Sequence, residues 1–382
     1  MNHIYNSDAA IFVYNPLNLK SITFTVINDL TYDQRMQRIC STLSHAGYNV
    51  LLIGRKIPSS HDLIRQPYRQ KRLWCFFKKG KLMYAEFNLR LLVYLLRIFS
   101  DCYCAIDLDT ILPNYFASKI KRKKRVYDAH ELFTEQKEIV TRAAIYKLWL
   151  KVEAFAVPRF VFGYTVNDFI AEEFNKRYGV NYSVVRNLPK LIDLQPASAK
   201  KDPFVIYQGA VNEGRSFETL IPAMKNVKAA LKIFGRGNFF NKALRLIKDY
   251  RLQEKIELKG LVAPEELQKI TPTAYAAVML FEATGLNQYH SLANRFFDYI
   301  MAGVPQVCVA FPQYKTINDK YNVACLINNT DTETIATALN NLLYDSVYYN
   351  TLRQNCIKAR QELNWEKEEN VLIDFYKKVF NS

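Results

Sequence analysis

Short apolar runs separated by helix-length segments recur along almost the whole chain, and this rhythm limits the possible folds more than any other feature. One set of runs lies at 21–28, 49–54, 102–108, 125–129, 159–166 and 183–187. A second lies at 204–208, 231–235, 256–259, 276–281, 305–310 and 324–327. The runs lack strict polar–apolar alternation, the pattern of parallel strands covered on both faces. Strands joined by helical segments are βαβ units with right-handed crossovers, so the expected class is α/β with two Rossmann-like parallel-sheet domains. A length of 382 residues suits two cores better than one. The polar, proline-bearing stretch 188–203 marks the boundary. It leaves an N-terminal domain over 1–190, a C-terminal domain over 203–360, and an amphipathic closing helix within 361–382.

Composition narrows the function classes. Apolar residues at 49% and charged residues at 23% exclude a disordered or fibrous chain. Seven cysteines with no CxxC pair form neither a disulfide framework nor a zinc site. Residues 1–15 lack a basic flank followed by a cleavable apolar run, so no signal peptide is expected. The most apolar helical stretch, 91–99, is broken by Arg97 and is too short to span a bilayer. A net charge of +16 points to an anionic partner. Over 55–97, eleven Lys and Arg stand against Asp62 and Glu86, a net +9, interleaved with Tyr68, Trp74, Phe76, Phe77, Tyr84 and Phe87. A second block, 119–125, holds six basic residues in seven. Aromatics at headgroup depth beside Lys and Arg suit an anionic membrane surface. No nucleic-acid-binding signature accompanies the patch, so nucleic acid is not an expected partner. The expected location is cytoplasmic, peripherally associated with the inner face of the membrane.

Three segments of the second set could carry chemistry. The run 204–208 leads into GAVNEGRSFETL, where Gly209 between strand and helix lets backbone approach a phosphate and Arg215 adds a bidentate charge. The run LKIFG ends in Gly235-Arg236-Gly237, which is not a dinucleotide fingerprint, and no acidic residue is placed to read a nicotinamide cofactor's ribose. After Phe281-Glu282 comes GLNQYHSLANRFFDYIMAGVP, in which Ser291 is expected to cap a helix. Asn294 and Asp298 then share one face near the helix's positive end, with Arg295 beside them. Such a helix start suits a sugar nucleotide, with donors for the diphosphate and Asp298 for ribose hydroxyls. Asp107-Leu108-Asp109 has the form of a metal-binding DxD but sits away from these segments, and its expected role is structural.

Taken in order, GAVNEGRSFETL, LKIFGRG, IELKGLVAPEEL, AYAAVMLFE and SLANRFFDYIMAGVPQV resemble the donor half of group 1 (family 4-like) glycosyltransferases of the GT-B fold. TYDQRMQRICSTLSHAGYNVLLIGR and RVYDAHELFTE resemble the acceptor half, and NWEKEENVLIDFYKKV the helix that crosses back to the first domain. The resemblance implies that Asp298, five residues before Gly303, holds the donor ribose. The family's companion glutamate falls on His290. Its diphosphate-gripping arginine falls on Ala210, which leaves Arg215 at the place of the lysine and Arg295 as the candidate to compensate. Gly235 and Gly237 match the loop near the donor, with Arg236 between them. Leu261-Val262 match the backbone beside the base, and Ser291 and Leu292 fall at the donor-side helix start. Asp128, His130 and Glu131 match the segment near the reacting sugar.

The resemblance further implies two domains facing across a cleft and a retaining transfer without a metal. A sugar would pass from a nucleotide-sugar donor, and the basic aromatic patch points to a glycan or lipid-linked acceptor in cell-surface polysaccharide synthesis. No cofactor is expected, because the nucleotide sugar is a substrate. Two other classes stay open at this point: a nucleotide-sugar epimerase on the same fold, and a catalytically weakened GT-B subunit that binds a partner.

Overall fold

The computed structural model describes residues 19–31, 33–194 and 203–382. The N-terminal stretch 1–15, and 195–202 of the expected linker, lie outside the described residues. Thirteen strands are described: β1 Ser21–Thr25, β2 Asn49–Lys56, β3 Arg69–Trp74, β4 Cys102–Ile106, β5 Lys124–Ala129, β6 Phe162–Thr165, β7 Ser183–Val184, β8 Phe204–Gln208, β9 Ala230–Phe234, β10 Ile256–Gly260, β11 Ala276–Met279, β12 Gln306–Val309 and β13 Ala324–Ile327. They form a seven-stranded sheet of order β3-β2-β1-β4-β5-β6-β7 and a six-stranded sheet of order β10-β9-β8-β11-β12-β13. β8 pairs in parallel with β9, Phe204 opposite Ala230, and with β11, Val205 opposite Ala276. The expected α/β class with two Rossmann-like parallel sheets is what the chain adopts.

Of the described residues, those up to Ala105 with Pro113–Arg125 form one compact unit. Ile106–Leu112 and those from Val126 onward form the other.

β3 has no counterpart among the apolar runs. Its sequence, RQKRLW, alternates exposed and covered positions, and it pairs on one side only, with β2. An edge strand with an open face needs no continuous apolar run, and its charges guard that edge. The strands expected at 159–166 and 183–187 shrink to four and two residues.

In the first unit, Phe87, Leu91 and Leu95 on the helix Gly80–Arg97 pack with Leu51, Ile53 and Tyr103. Two of the aromatics expected at an interface are therefore core: Phe87 and Tyr68 are buried. Trp74, Phe76 and Phe77 are exposed, at 57%, 69% and 39%. Glu86 accepts the backbone N–H groups of Phe76 (2.9 Å) and Phe77 (2.8 Å) and pairs with Arg90 (2.7 Å), which pins the aromatic loop to the helix. Part of the basic charge is committed internally: Arg72 donates to the Asp29 carbonyl (2.5 Å) and to Thr31 Oγ1 (2.9 Å), and Arg55 to the Lys78 carbonyl (3.0 Å).

In the second unit, β8, β9, β11 and β12 bury Tyr207, Ile233, Val278 and Val307 in one core with Leu220, Phe296 and Leu339. The helix Trp365–Asn381, capped by Asn364 accepting from the Lys367 N–H (3.0 Å), lays Phe375 and Tyr376 on Tyr164 of β6. Its Glu368 accepts the Arg186 N–H at 2.7 Å.

The loops after β8 and β9 lie so close that one glycine is obligatory. Gly235 has φ of +147°, and a Cβ there would stand 1.8 Å from the Gly209 carbonyl oxygen. Backbone cannot yield as a flexible side chain can, and L residues are strained at this φ. Gly235→Ala should therefore destabilise the protein by about 2–4 kcal/mol. Chemical denaturation checks this, and a loss within experimental error of zero contradicts the packing.

Candidate functional site

The loops that follow β8, β9 and β11 emerge at the carboxyl ends of neighbouring parallel strands, where such sheets bind ligands. Hydrogen bonds tie the first two together. Gly209 N donates to the Phe234 carbonyl (2.9 Å) and Val211 N to the Arg236 carbonyl (3.1 Å), while Gly235 N joins the second loop to the end of β10 through the Gly260 carbonyl (2.7 Å). Asn212 Oδ1 accepts the Asn238 N–H (3.0 Å), and Asn238 Oδ1 accepts the Glu213 N–H (3.0 Å). A Cβ on Gly237 would stand 2.1 Å from Asn212 Oδ1, so this glycine too is set by close approach.

Arg215 and Arg295 meet over one ring. The Arg215 guanidinium carbon lies 3.9 Å from the centroid of Phe281, and that of Arg295 lies 4.8 Å from the same centroid and 4.6 Å from that of Tyr207. Arg295 is 8% exposed; its Nη1 donates to the Tyr207 hydroxyl (3.0 Å) and its Nε contacts Met279 Sδ (3.1 Å). A Cβ on Gly209 would lie 3.1 Å from Arg295 Nη1, so this guanidinium stands beside the strand glycine although it comes from a different segment. Among the described residues neither arginine has an ion-pair partner, and Arg215 Nε and Arg295 Nη2 are buried without a hydrogen bond. Aromatic faces offset part of the desolvation cost of the cations. Burial first, and the charge of Arg295 second, push the Arg215 guanidinium down to about 10. Two adjacent cations with unused donors form a site for an anion with more than one charge.

Asp298, three residues after Arg295, accepts from Gln208 Nε2 at 3.1 Å. Gln208 is itself held by Thr271 Oγ1 donating to its Oε1 (2.7 Å) and by its own N–H donating to the Tyr299 hydroxyl (3.1 Å). The carboxylate is thereby fixed at the end of β8, half-buried.

The helix expected to start at Ser291 starts at Asn294, with Ala293 at its cap position and no side-chain cap. Residues Leu286–Tyr289 form a separate short helix, and Ser291 Oγ closes it by donating to the Gln288 carbonyl at 2.8 Å. A hydroxyl already used to end one helix is not available to start the next. Asn294 is exposed and accepts from Asn187 Nδ2 (2.8 Å). Arg236 is exposed and lies over Phe240 at 5.1 Å. Leu292 and Val262 each pack against an apolar cluster of this unit.

The DAHE run lies at the end of β5, in the same compact unit. His130 Nε2 is 3.2 Å from Asp128 Oδ2 and its Nδ1 3.5 Å from Asp107 Oδ2, while its N–H donates to Asp107 Oδ1 at 2.9 Å. The ring thus lies between two carboxylates, which hold its orientation. Asp107 has φ of +51°, a strained value for a residue with a Cβ. Both of its carboxylate oxygens are turned to His130, so the first aspartate of the DxD run serves the histidine. Glu131 accepts from Asn287 Nδ2 (2.8 Å) and from Gln136 Nε2. Burial, then the charge of Asp107, raises its carboxyl above the usual range.

Sequence reasoning brought out Gly209, Arg215, Arg295 and Asp298 but not Tyr207 and Phe281, the platform under the arginines, nor the amides of Asn287 and Gln288. Tyr207 and Phe281 read as core aromatics in their runs. Only their position at the ends of paired strands β8 and β11 turns them toward the arginines. His290 stacks flat on Phe169, with 3.4 Å between centroids and 4° between planes, and burial lowers its basicity.

Two parallel Rossmann-like sheets, with glycines and paired arginines at the carboxyl ends of the second, have the architecture of the GT-B fold. Residues 191–363 match the family described as Glycosyl transferases group 1. Among curated proteins, none matches the sequence. Similar solved structures include sucrose-phosphate synthase from Thermosynechococcus elongatus (18% identity over 95% of this chain and 99% of that one, TM-score 0.78). Another is HepE of Anabaena in complex with UDP-glucose (11% identity, 94% and 99% covered, TM-score 0.75). A third is a mutant of TarM from S. aureus with fondaparinux, alpha-GlcNAc-glycerol and UDP (12% identity, 95% and 100% covered, TM-score 0.67). At these identities the likeness is one of fold.

Because burial in the folded state lowers the pKa of Arg215, the charged side chain weakens folding at neutral pH, a cost relieved only as pH rises to about 10 and beyond. Arg215→Met should raise the unfolding temperature of the unliganded protein at pH 7. The same substitution should abolish the upward shift that pyrophosphate gives the wild type. Thermal denaturation with and without pyrophosphate checks both; a lower unliganded midpoint contradicts the uncompensated-charge account.

Proposed function

We propose that the protein transfers a glycosyl group from a nucleoside-diphosphate sugar to a glycan or lipid-linked acceptor in cell-surface polysaccharide synthesis, with retention and without a metal. The observation that carries this reading is the pair of guanidiniums on Phe281 that lack a carboxylate partner. An anion of two adjacent charges satisfies them as no group of the described chain does. Asp298, held at the end of β8 by Gln208, would take the ribose hydroxyls. Gly209, Gly235 and Gly237 would let backbone approach the diphosphate, with Val262 beside the base. Arg236, Ser291, Leu292 and Asn294 would border the donor.

In the transfer, the bond from the anomeric carbon to the diphosphate oxygen breaks and its electron pair leaves on that oxygen. The acceptor hydroxyl oxygen bonds the same carbon from the same face, and its proton passes to the departing diphosphate. Stabilising that leaving group is the task of Arg215 and Arg295. His130, oriented by Asp107 and Asp128, would face the sugar, with Glu131 next to it. The two carboxyl oxygens of Asp107 are spent on His130, which supports a mechanism that does not use this run for a metal. In domain terms, 1–190 would bind acceptor, 203–360 the nucleotide sugar, and 361–382 would close the fold.

The test is a panel of nucleotide sugars with release of nucleotide as readout, repeated in EDTA. Release with at least one donor, undiminished by the chelator, is expected. Asp298→Ala should weaken binding of that donor by about 1–3 kcal/mol, the worth of a charged acceptor. Silence across the panel overturns the transferase reading, and loss in EDTA restored by Mn²⁺ or Mg²⁺ overturns metal independence.

The exposed aromatics of the first unit support a cytoplasmic enzyme docked on the inner face of a membrane. Trp74, Phe76 and Phe77 stand among the exposed Lys71, Lys78, Lys79 and Lys81, and no helix among the described residues is long and apolar enough to cross a bilayer. Each engaged Lys contributes about 1 kcal/mol at an anionic surface, and the aromatics add a part insensitive to salt. Cosedimentation with anionic but not neutral vesicles is expected. Replacement of Lys71, Lys78, Lys79 and Lys81 by Gln should reduce it while pyrophosphate binding stays unchanged. A wild type that ignores anionic vesicles at low salt removes the support for a lipid-linked acceptor.

A further inference from the structure

We propose that Asn287 is a positioning residue of the transfer, and that with Glu131 it sets the distance between His130 and the arginine pair. The inference rests on the glycosyl-transfer reading above and concerns groups within one compact unit. Asn287 uses both ends of its amide on the segment that carries His130. Its Oδ1 accepts the Leu132 N–H at 3.1 Å, and its Nδ2 donates to Glu131 Oε2 at 2.8 Å. The next residue faces the other way: Gln288 Nε2 donates to the carbonyls of Gly214 (2.8 Å) and Glu282 (2.9 Å). Gly214 immediately precedes Arg215, and Glu282 immediately follows Phe281. Two adjacent amides on one short helical turn therefore hold the histidine segment on one side and the arginine platform on the other.

The clip is anchored beyond these bonds. Asn167 Nδ2 donates to the His290 carbonyl at 3.1 Å, and the His290 ring lies flat on Phe169. Glu131 has both carboxylate oxygens engaged, one by Asn287 and one by Gln136, so it acts by holding position and not by touching the sugar. A glycosyl centre must sit within reach of His130 and of the diphosphate cations at once. A misplacement near 1 Å costs on the order of a hundredfold in rate while leaving the anion site itself intact.

The polarity of the Asn287–Glu131 bond supplies the test. Asn287→Asp sets a carboxylate against a carboxylate, whereas Asn287→Asp combined with Glu131→Gln restores a donor–acceptor pair with its direction reversed. With the donor that the wild type turns over, Asn287→Asp should lower kcat on the order of a hundredfold. Its affinity for pyrophosphate, read by calorimetry, should stay within about threefold, a change too small to count as loss of a charged contact. The double variant should recover at least about tenfold of the lost kcat, as expected when two substitutions act through one bond. Should Asn287→Asp fail to fold by circular dichroism, Asn287→Ala, which removes both bonds without repulsion, is read the same way. Unchanged kcat, an equal loss of kcat and pyrophosphate affinity, or a double variant no better than the single one overturns the inference and leaves the transferase reading standing. A wild type that turns over no donor overturns that reading, and this inference with it.

Discussion

Parallel pairing is the constraint on which the site depends. Strands that all point one way deliver all their exit loops to one edge, and β8, flanked by β9 and β11, brings three such loops together. The contact of Gly235 with the Gly209 carbonyl and the N–H bonds of Gly209 and Val211 to the β9 end and its loop follow from that convergence. The glycines are needed because backbone packs on backbone there, with no room for a Cβ.

The electrostatics of the two halves of the site are opposite. His130 is compensated, with Asp107 and Asp128 on either side of the ring. Arg215 and Arg295 are left uncompensated, resting on Phe281 and Tyr207 with buried N–H groups unused. Aromatic faces stabilise a guanidinium without using up its hydrogen-bonding edge. The arrangement thus keeps two cations in a partly dry place while reserving their donors. A protein that stores charge in this way gives up some stability in the empty state in exchange for pre-organised electrostatics in the loaded one.

The first unit shows why a charge count in the sequence overstates an electrostatic surface. Arg72 and Arg55 hold loops, Lys123 pairs with Asp101 at 3.1 Å, and Lys121 donates to the Ile98 carbonyl. What remains outward is a smaller cluster beside three aromatic tips. Those tips are exposed because Glu86 fixes the loop's N–H groups on the helix, leaving Phe76 and Phe77 to project.

By itself the sequence determined the strand rhythm. The runs at 204–208 and 324–327 are observed to the residue, and most others to within a few residues, because burial on both faces writes itself as a continuous apolar run. It also singled out Gly209, Arg215, Arg295 and Asp298, through their order along the chain at the ends of successive apolar runs. Edge strand β3 left no such trace, since one open face lets a strand be basic. Ser291 carried a helix-capping signal that the structure does not bear out, since its hydroxyl closes the preceding turn and the helix starts at Asn294. Only the tertiary structure decided that Arg295, eighty-six positions after Gly209 in the chain, stands beside it, and that Asn287 bonds Glu131. Local propensity reports what one stretch of chain prefers. Which guanidinium shares a ring with which, and which amide meets which carboxylate, depends on strand order and loop packing that bring distant stretches within 3 Å.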